Sequence, residues 1–214
     1  MRKSTLAVLL IILVCFFLGI AFYPQMPDEM ASSWDIKGNV KGYLPKFWGL
    51  FLVPIISFCI LLLLFILLPK IDPLKANIEK FRKYFDTFIV VIAVFFFYIY
   101  LLTILWNLGY NFDVGRAMIP ALGILFYYCG VLVENAKRNW FIGIRTPWTL
   151  SNEEVWEKTH KLGGKLYKII GLIAFLGVIF PSYALLIILI PVISATIYII
   201  IYSFFEYKKL ANNK

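Results

Sequence analysis

The sequence predicts an all-α integral membrane bundle of about six transmembrane helices, N-in and C-in, on three observations. Apolar residues make up 62% of the 214-residue chain and charged residues only 15%, well short of the polar share that a water-facing surface requires. The apolar residues fall in long continuous runs rather than in alternation, so each run reads as a helix that satisfies its own backbone in hydrocarbon. The basic residues are confined to one set of connecting segments, which orients the bundle.

The first run, Ser4 to Tyr23, follows Arg2 and Lys3. It is longer than the apolar region of a cleavable signal and no small-residue cleavage site follows it, so it is read as an anchor. Further spans are placed at Phe47 to Leu68, Thr87 to Trp106, Ala117 to Val133, Leu166 to Phe180 and Tyr183 to Phe205. The fifth falls short of a full crossing unless Lys165 and Lys168 run their stems toward the headgroups, and Pro181 and Ser182 make a tight hairpin into the sixth. Pro54, Pro120 and Pro191 lie inside spans two, four and six, where each frees a carbonyl.

Of the 21 Lys and Arg, only Lys37, Lys41, Lys46 and Arg116 fall on the connections after spans one, three and five. The others gather at the N-terminus, over 69–86, over 134–168 and on the C-terminal tail. The positive-inside rule therefore predicts a multi-pass protein of the cell membrane with both termini cytoplasmic. The same distribution accounts for the formal charge of +9 without direct nucleic-acid contact.

Two parts are expected: 1–68, a membrane hairpin with an outer loop over 24–46, and 69–214, a membrane region with an inner loop over 134–165. In the inner loop Ser151-Asn152-Glu153-Glu154 has the form of a capping box and predicts a short helix. Val155, Thr159 and Leu162 share one side of it, with Trp156 adjacent, while Glu153, Glu157 and His160 line another. Such a helix suits the headgroup plane with its indole at the interface, and Gly163 and Gly164 are expected to end it before span five. Trp48, Trp106 and Trp140 sit near span ends as an interfacial belt would place them. Gly171 and Gly177 are six apart rather than four, so no helix-pairing motif is read, and oligomeric state is left unassigned.

No Asp, Glu, Lys, Arg or His lies deep in any predicted span, which disfavours proton-coupled carriage. Glu134 and Arg116, at the two ends of span four, are expected to reach the headgroups. Catalytic signatures are missing as well: there is no GxSxG, HExxH, P-loop or GxGxxG. No enzyme is expected. His160 with Glu153 and Glu157 reads as a solvated face rather than a metal site, and Cys15, Cys59 and Cys129 read as small hydrophobes. No cofactor and no metal are predicted.

The stretch from Asn139 to Leu150 differs in kind. It joins Arg145, which suits a bidentate grip on phosphate or carboxylate, to a turn-forming Thr146-Pro147 between Trp140 and Trp148. Asn139, Gly143, Arg145, Thr146, Pro147, Thr149 and Leu150, followed by Trp156, His160 and Gly163, resemble the signature of the SdpI family. The outer loop, through Met26, Pro27, Trp34, Asp35, Gly38, Gly42 and Tyr43, is similar to the N-terminal domain that often accompanies that family. Ser33 stands where that loop commonly has a histidine.

The resemblance implies a small multi-spanning protein related to an immunity protein that protects cells from a secreted toxic peptide and signals its presence. On that footing Asn139, Gly143, Arg145, Thr146, Pro147, Thr149, Trp156 and His160 form a candidate cytoplasmic binding motif. Pro27, Asp28, Glu29, Trp34, Asp35 and Gly38 form a candidate outer one. The implied partners are the lipid bilayer, an extracellular peptide toxin and a cytoplasmic regulator protein. An alternative stays open: a small-molecule or lipid transporter without intramembrane proton-coupling residues, in which kinked spans enclose a path and Arg145 grips an anionic headgroup.

Overall fold

The computed structural model describes residues 2–35, 38–110 and 112–212; Lys37 and Lys214 of the basic set lie outside the described residues. The helices are α1 (Lys3–Phe22), α2 (Lys46–Leu62), α3 (Lys75–Lys80), α4 (Arg82–Asn107), α5 (Val114–Asn135), α6 (Pro147–Ser151), α7 (Glu153–Ala174) and α8 (Ala184–Asn212). Among the described residues, five helices are long and apolar enough to cross a membrane: Lys3–Gln25, Arg82–Asn107, Val114–Asn135, Glu153–Ile179 and Pro181–Asn212. The chain is a polytopic helical membrane bundle.

The remaining apolar helix, α2, has 17 residues. A uniform helix to Leu68 was the expectation; the chain instead widens into a π-type turn over Leu63–Leu67 before a last turn at Leu68–Ile71. Pro69 has no N–H to donate four residues back, so the regular ladder cannot run through this stretch.

The loop over 24–46 adds a feature the helical expectation lacks, an antiparallel hairpin of β1 (Glu29–Trp34) and β2 (Val40–Pro45). Its turn is set by Asp35, whose carboxylate accepts the Asn39 N–H at 2.9 Å, and by Gly38 at φ +82°, a conformation that favours glycine. A two-stranded hairpin is marginal by itself, and α4 supplies what it lacks. The Asn107 side-chain amide accepts the Ala31 N–H at 2.8 Å and donates to the Ala31 carbonyl at 3.0 Å, filling the outer edge of β1 as a neighbouring strand would. Met30 and Ala31 are fully buried beneath it.

Helices α1, α2 and α4 pack through Val8, Ile12, Leu61, Phe85, Ile89 and Ala93 toward one end and through Cys15, Leu50, Tyr100 and Ile104 toward the other. Tyr100 Oη donates to the Cys15 carbonyl at 3.0 Å. Outward residues such as Leu13 and Phe17 stay exposed, as a lipid-facing surface requires.

Helices α5 and α7 meet through glycines. A Cβ added at Gly123 would lie 2.8 Å from the Gly171 carbonyl oxygen, and one at Gly130 would lie 2.6 Å from that of Gly164. The reverse contacts are as close: Gly171 faces the Gly123 oxygen at 2.6 Å and Gly164 the Gly130 oxygen at 2.7 Å. Gly123 and Gly130 are seven residues apart on α5, as are Gly164 and Gly171 on α7, so an antiparallel backbone-to-backbone seam runs along both helices. The pairing motif is therefore present at a spacing of seven, not four.

Gly163 and Gly164 do not break the helix, contrary to expectation. They sit inside α7 because their missing side chains let it lean on its neighbours, Gly164 on Glu134 and Gly163 on Ile144. Helix α7 then returns as α8 through a 3-10 turn at Pro181–Tyr183. Tyr167 Oη lies 3.1 Å from Thr196 Oγ1, and Lys158 lies 3.3 Å from Glu206, so these two helices are antiparallel as well.

One end of the bundle gathers the basic segments. Ser4 Oγ donates to Asp86 at 3.0 Å, Asn77 Nδ2 donates to the Arg138 carbonyl at 2.8 Å, and Glu206 pairs with Lys158 and Lys209. The hairpin occupies the other end. Replacing Gly130 by Val forces a branched side chain into the Gly164 backbone and is expected to destabilise the protein by about 3 kcal/mol or more, read as a fall in Tm in detergent micelles. Leu172→Ala, on an exposed face of α7, should shift Tm far less in the same measurement.

Candidate functional site

At the basic end the segment between α5 and α7 folds around Asn139, which is fully buried. Its Oδ1 accepts the N–H groups of Phe141 and Ile142 at 2.9 and 2.6 Å, and its Nδ2 donates to the carbonyls of Lys137 and Ile142 at 2.8 and 2.9 Å. One side chain thus does for this turn what a ladder does for a strand. The neighbouring connection docks onto it: buried Asp72 accepts the Leu74 N–H at 2.6 Å with one oxygen and the Trp140 N–H at 3.0 Å with the other.

Gly143 follows at φ +110°, and an added Cβ would collide with the His160 ring. The next N–H, of Ile144, donates to His160 Nε2 at 2.9 Å. Nε2 is therefore an acceptor and carries no proton. Nδ1 must hold it, and it donates to the Trp156 carbonyl at 2.8 Å. The His160 ring lies flat on the Trp156 indole, centroids 3.8 Å apart, and the indole Nε1 donates to the Ala136 carbonyl at 2.7 Å.

These positions correct two expectations. Trp156 and His160 are 0% and 1% exposed, so Trp156 is no interfacial anchor and His160 no part of a solvated face. Because α7 stands against α5 instead of lying flat, its buried face is Val155, Trp156, Thr159, His160, Gly163 and Gly164, while Glu153 and Glu157 point outward. The cap also moves by one residue. Asn152, not Ser151, accepts the N–H groups of Glu154 and Val155, and Ser151 Oγ donates to the Trp148 carbonyl instead.

The capping box sits earlier, on α6. Thr146 Oγ1 accepts the Thr149 N–H at 3.2 Å, Thr149 Oγ1 accepts the Thr146 N–H at 2.9 Å, and Pro147 occupies the first turn, where its missing N–H costs nothing. Thr146 Oγ1 also lies 3.1 Å from Ser203 Oγ, and Trp148 meets Phe204 edge-on, which ties the motif to α8.

Arg145 is the exception. It is exposed, donating to the Trp140 carbonyl at 2.8 Å, beside Trp140 (51% exposed) and Phe141. The motif thus divides into a buried frame (Asn139, Thr146, Thr149, Trp156 and His160, with Gly143 and Pro147 shaping the backbone) and an outward surface of Arg145, Trp140 and Phe141. Next to the frame is a shallow depression of about 300 Å³ lined by Glu134, Ala136, Lys137, Glu157, His160 and Lys161, which Lys137 and Glu157 bridge at 2.8 Å. Glu134 and Lys168 were expected to reach the headgroups separately. They pair with each other at 2.6 Å, because the glycine seam brings α5 and α7 close enough.

Similarity to known proteins supports the same region. Residues 135–203 match the SdpI/YfhL protein family, and residues 10–58 match a domain of unknown function, DUF1648. The region from the motif into α8 is thus similar to the SdpI family. The whole chain is also 26% identical over 216 residues to "Immunity protein SdpI" of Bacillus subtilis (strain 168), covering 100% of both chains. No solved structure matches it.

At the hairpin end the candidate residues divide in the same way. Pro27, Asp28 and Glu29 are exposed where the chain enters β1, and Asp28 pairs with Lys46 at 3.0 Å. Asp35 and Gly38 form the turn. Trp34 packs edge-on against Trp106, centroids 5.8 Å apart, so Trp106 supports the hairpin as much as it marks an interface. Sequence reasoning missed Asp72, Asn107 and Ser203, which are single polar residues with no spacing pattern around them.

Asn139→Ala strips four hydrogen bonds from the loop and should lower stability by about 1–3 kcal/mol, read from Tm. Arg145→Ala should leave Tm nearly unchanged. In 15N NMR, His160 should show the neutral tautomer protonated at Nδ1, with Nε2 accepting a hydrogen bond.

Proposed function

We propose that this SdpI-family chain is a membrane immunity protein that neutralises an extracellular toxic peptide and engages a cytoplasmic regulator protein. The observation that carries the reading is the similarity to the Bacillus subtilis immunity protein over 100% of both chains, since it takes in the hairpin end, the basic end and the helices between them. The positive-inside rule faces the basic end to the cytoplasm and the hairpin outward. On the outer side, Pro27, Asp28 and Glu29 meet the peptide, while Trp34, Asp35 and Gly38 hold the hairpin that presents them. On the inner side, Arg145 with Trp140 and Phe141 meets the regulator, and the buried motif residues fix that surface.

The test is expression in cells sensitive to secreted peptide toxins, scored for survival, with co-purification of soluble partners. The wild-type protein should protect, and Arg145→Ala should weaken partner capture about tenfold or more, as loss of a charge-assisted contact does, with the amount in the membrane unchanged. Absence of both protection and a partner in the wild type overturns the proposal. Full retention of both by Arg145→Ala reassigns that residue to anchoring the loop through Trp140.

A further inference from the structure

Away from the motif, a depression of about 390 Å³ opens between the first turns of α1 and α4, lined by Arg2, Lys3, Ser4, Lys83, Asp86, Thr87 and Val90. Its charge does not balance. Asp86, the one carboxylate in the lining, is already engaged by Arg82 Nε at 3.1 Å and by Ser4 Oγ at 3.0 Å. Arg2 reaches Asp86 and Glu79 only at 3.9 and 3.8 Å. Neither Lys3 nor Lys83 has an acidic partner among the described residues. The mouth therefore carries cationic groups whose nearest compensating charge is already in use.

The position matters as much as the charge. Continuous apolar sequence begins at Leu6 in α1 and at Phe88 in α4, so the cations stand where a headgroup layer meets hydrocarbon, and Val90 lies on the apolar side of the same depression. A ligand that fits both halves has an anionic phosphate and an attached apolar chain. We propose that the α1–α4 depression binds an anionic phospholipid, its phosphate between Arg2, Lys3 and Lys83 and its acyl chain along Val90. A free phosphate satisfies the cations but leaves the apolar half unfilled, and a zwitterionic lipid brings its own cation to a site that has a surplus of them.

The test places the full-length protein in nanodiscs of phosphatidylcholine doped with phosphatidylglycerol and counts retained lipids by native mass spectrometry. Wild type should retain one phosphatidylglycerol in preference to phosphatidylcholine by roughly tenfold or more, given the attraction of each basic side chain near an anionic surface. Lys3→Gln with Lys83→Gln should abolish the preference. The paired Lys→Arg variant should keep it, as should Lys70→Gln with Lys75→Gln, which removes equal charge elsewhere at the same end. Diffuse surface charge is the answer if the 70/75 pair loses the preference equally or if the 3/83 Gln pair keeps it. Loss in the Arg pair too, or displacement of the lipid by millimolar inorganic phosphate, also overturns the proposal.

Discussion

The contact on which the rest depends is the backbone seam between α5 and α7. In hydrocarbon no water is released when apolar helices meet, so close approach must come from shape. Gly123 and Gly130 on one helix and Gly164 and Gly171 on the other provide it by removing the side chains that would hold the two apart. Only because the helices run this close does Glu134 reach Lys168, the Trp156 indole reach the Ala136 carbonyl, and the Ile144 N–H reach His160. A bulkier residue at any of the four would disturb an ion pair, an indole hydrogen bond and a histidine together.

What the sequence revealed and what it hid divide along physical lines. Long apolar runs report their own solvent, so the helical bundle was legible from Ser4 to Phe205, and the clustering of Lys and Arg was legible because charge cannot be hidden in lipid. Burial of Trp156 and His160 was not, since the amphipathic reading of α7 assumed a break at Gly163 and Gly164. Glycine in a helix signals either an ending or a close neighbour, and only the spacing of seven to Gly171, matched by Gly123 and Gly130, favours the second. The motif from Asn139 to Thr149 stood out for its residue types, yet nothing in the sequence told that most of them face inward and Arg145 outward. That distinction arises from hydrogen bonds to residues as distant as Ser203.

The arrangement also explains how charge is tolerated near the span ends. Three carboxylates at the basic end have a cation beside them, Glu134 with Lys168, Asp86 with Arg82, and Glu206 with Lys158 and Lys209, while buried Asp72 is held by the Leu74 and Trp140 N–H groups. Such pairing neutralises the groups where the dielectric falls, and the polar residues within the helices, such as Ser57, Thr103 and Thr196, are uncharged and return their hydroxyls to the backbone. The two candidate surfaces lie at opposite ends of the bundle, one on the motif loop and one on the hairpin.

The sheet of the hairpin is completed by a borrowed amide. Asn107 closes the edge of β1, while the free edge of β2 carries Lys41 and Pro45, residues that discourage another strand from adding there. The hairpin end of this protein is therefore not a module that can be cut away and studied in water. Severed from α2 and α4, residues 24–46 would lose both the amide that completes their sheet and the surface that buries Met30 and Ala31, leaving a peptide with no reason to keep its shape in water.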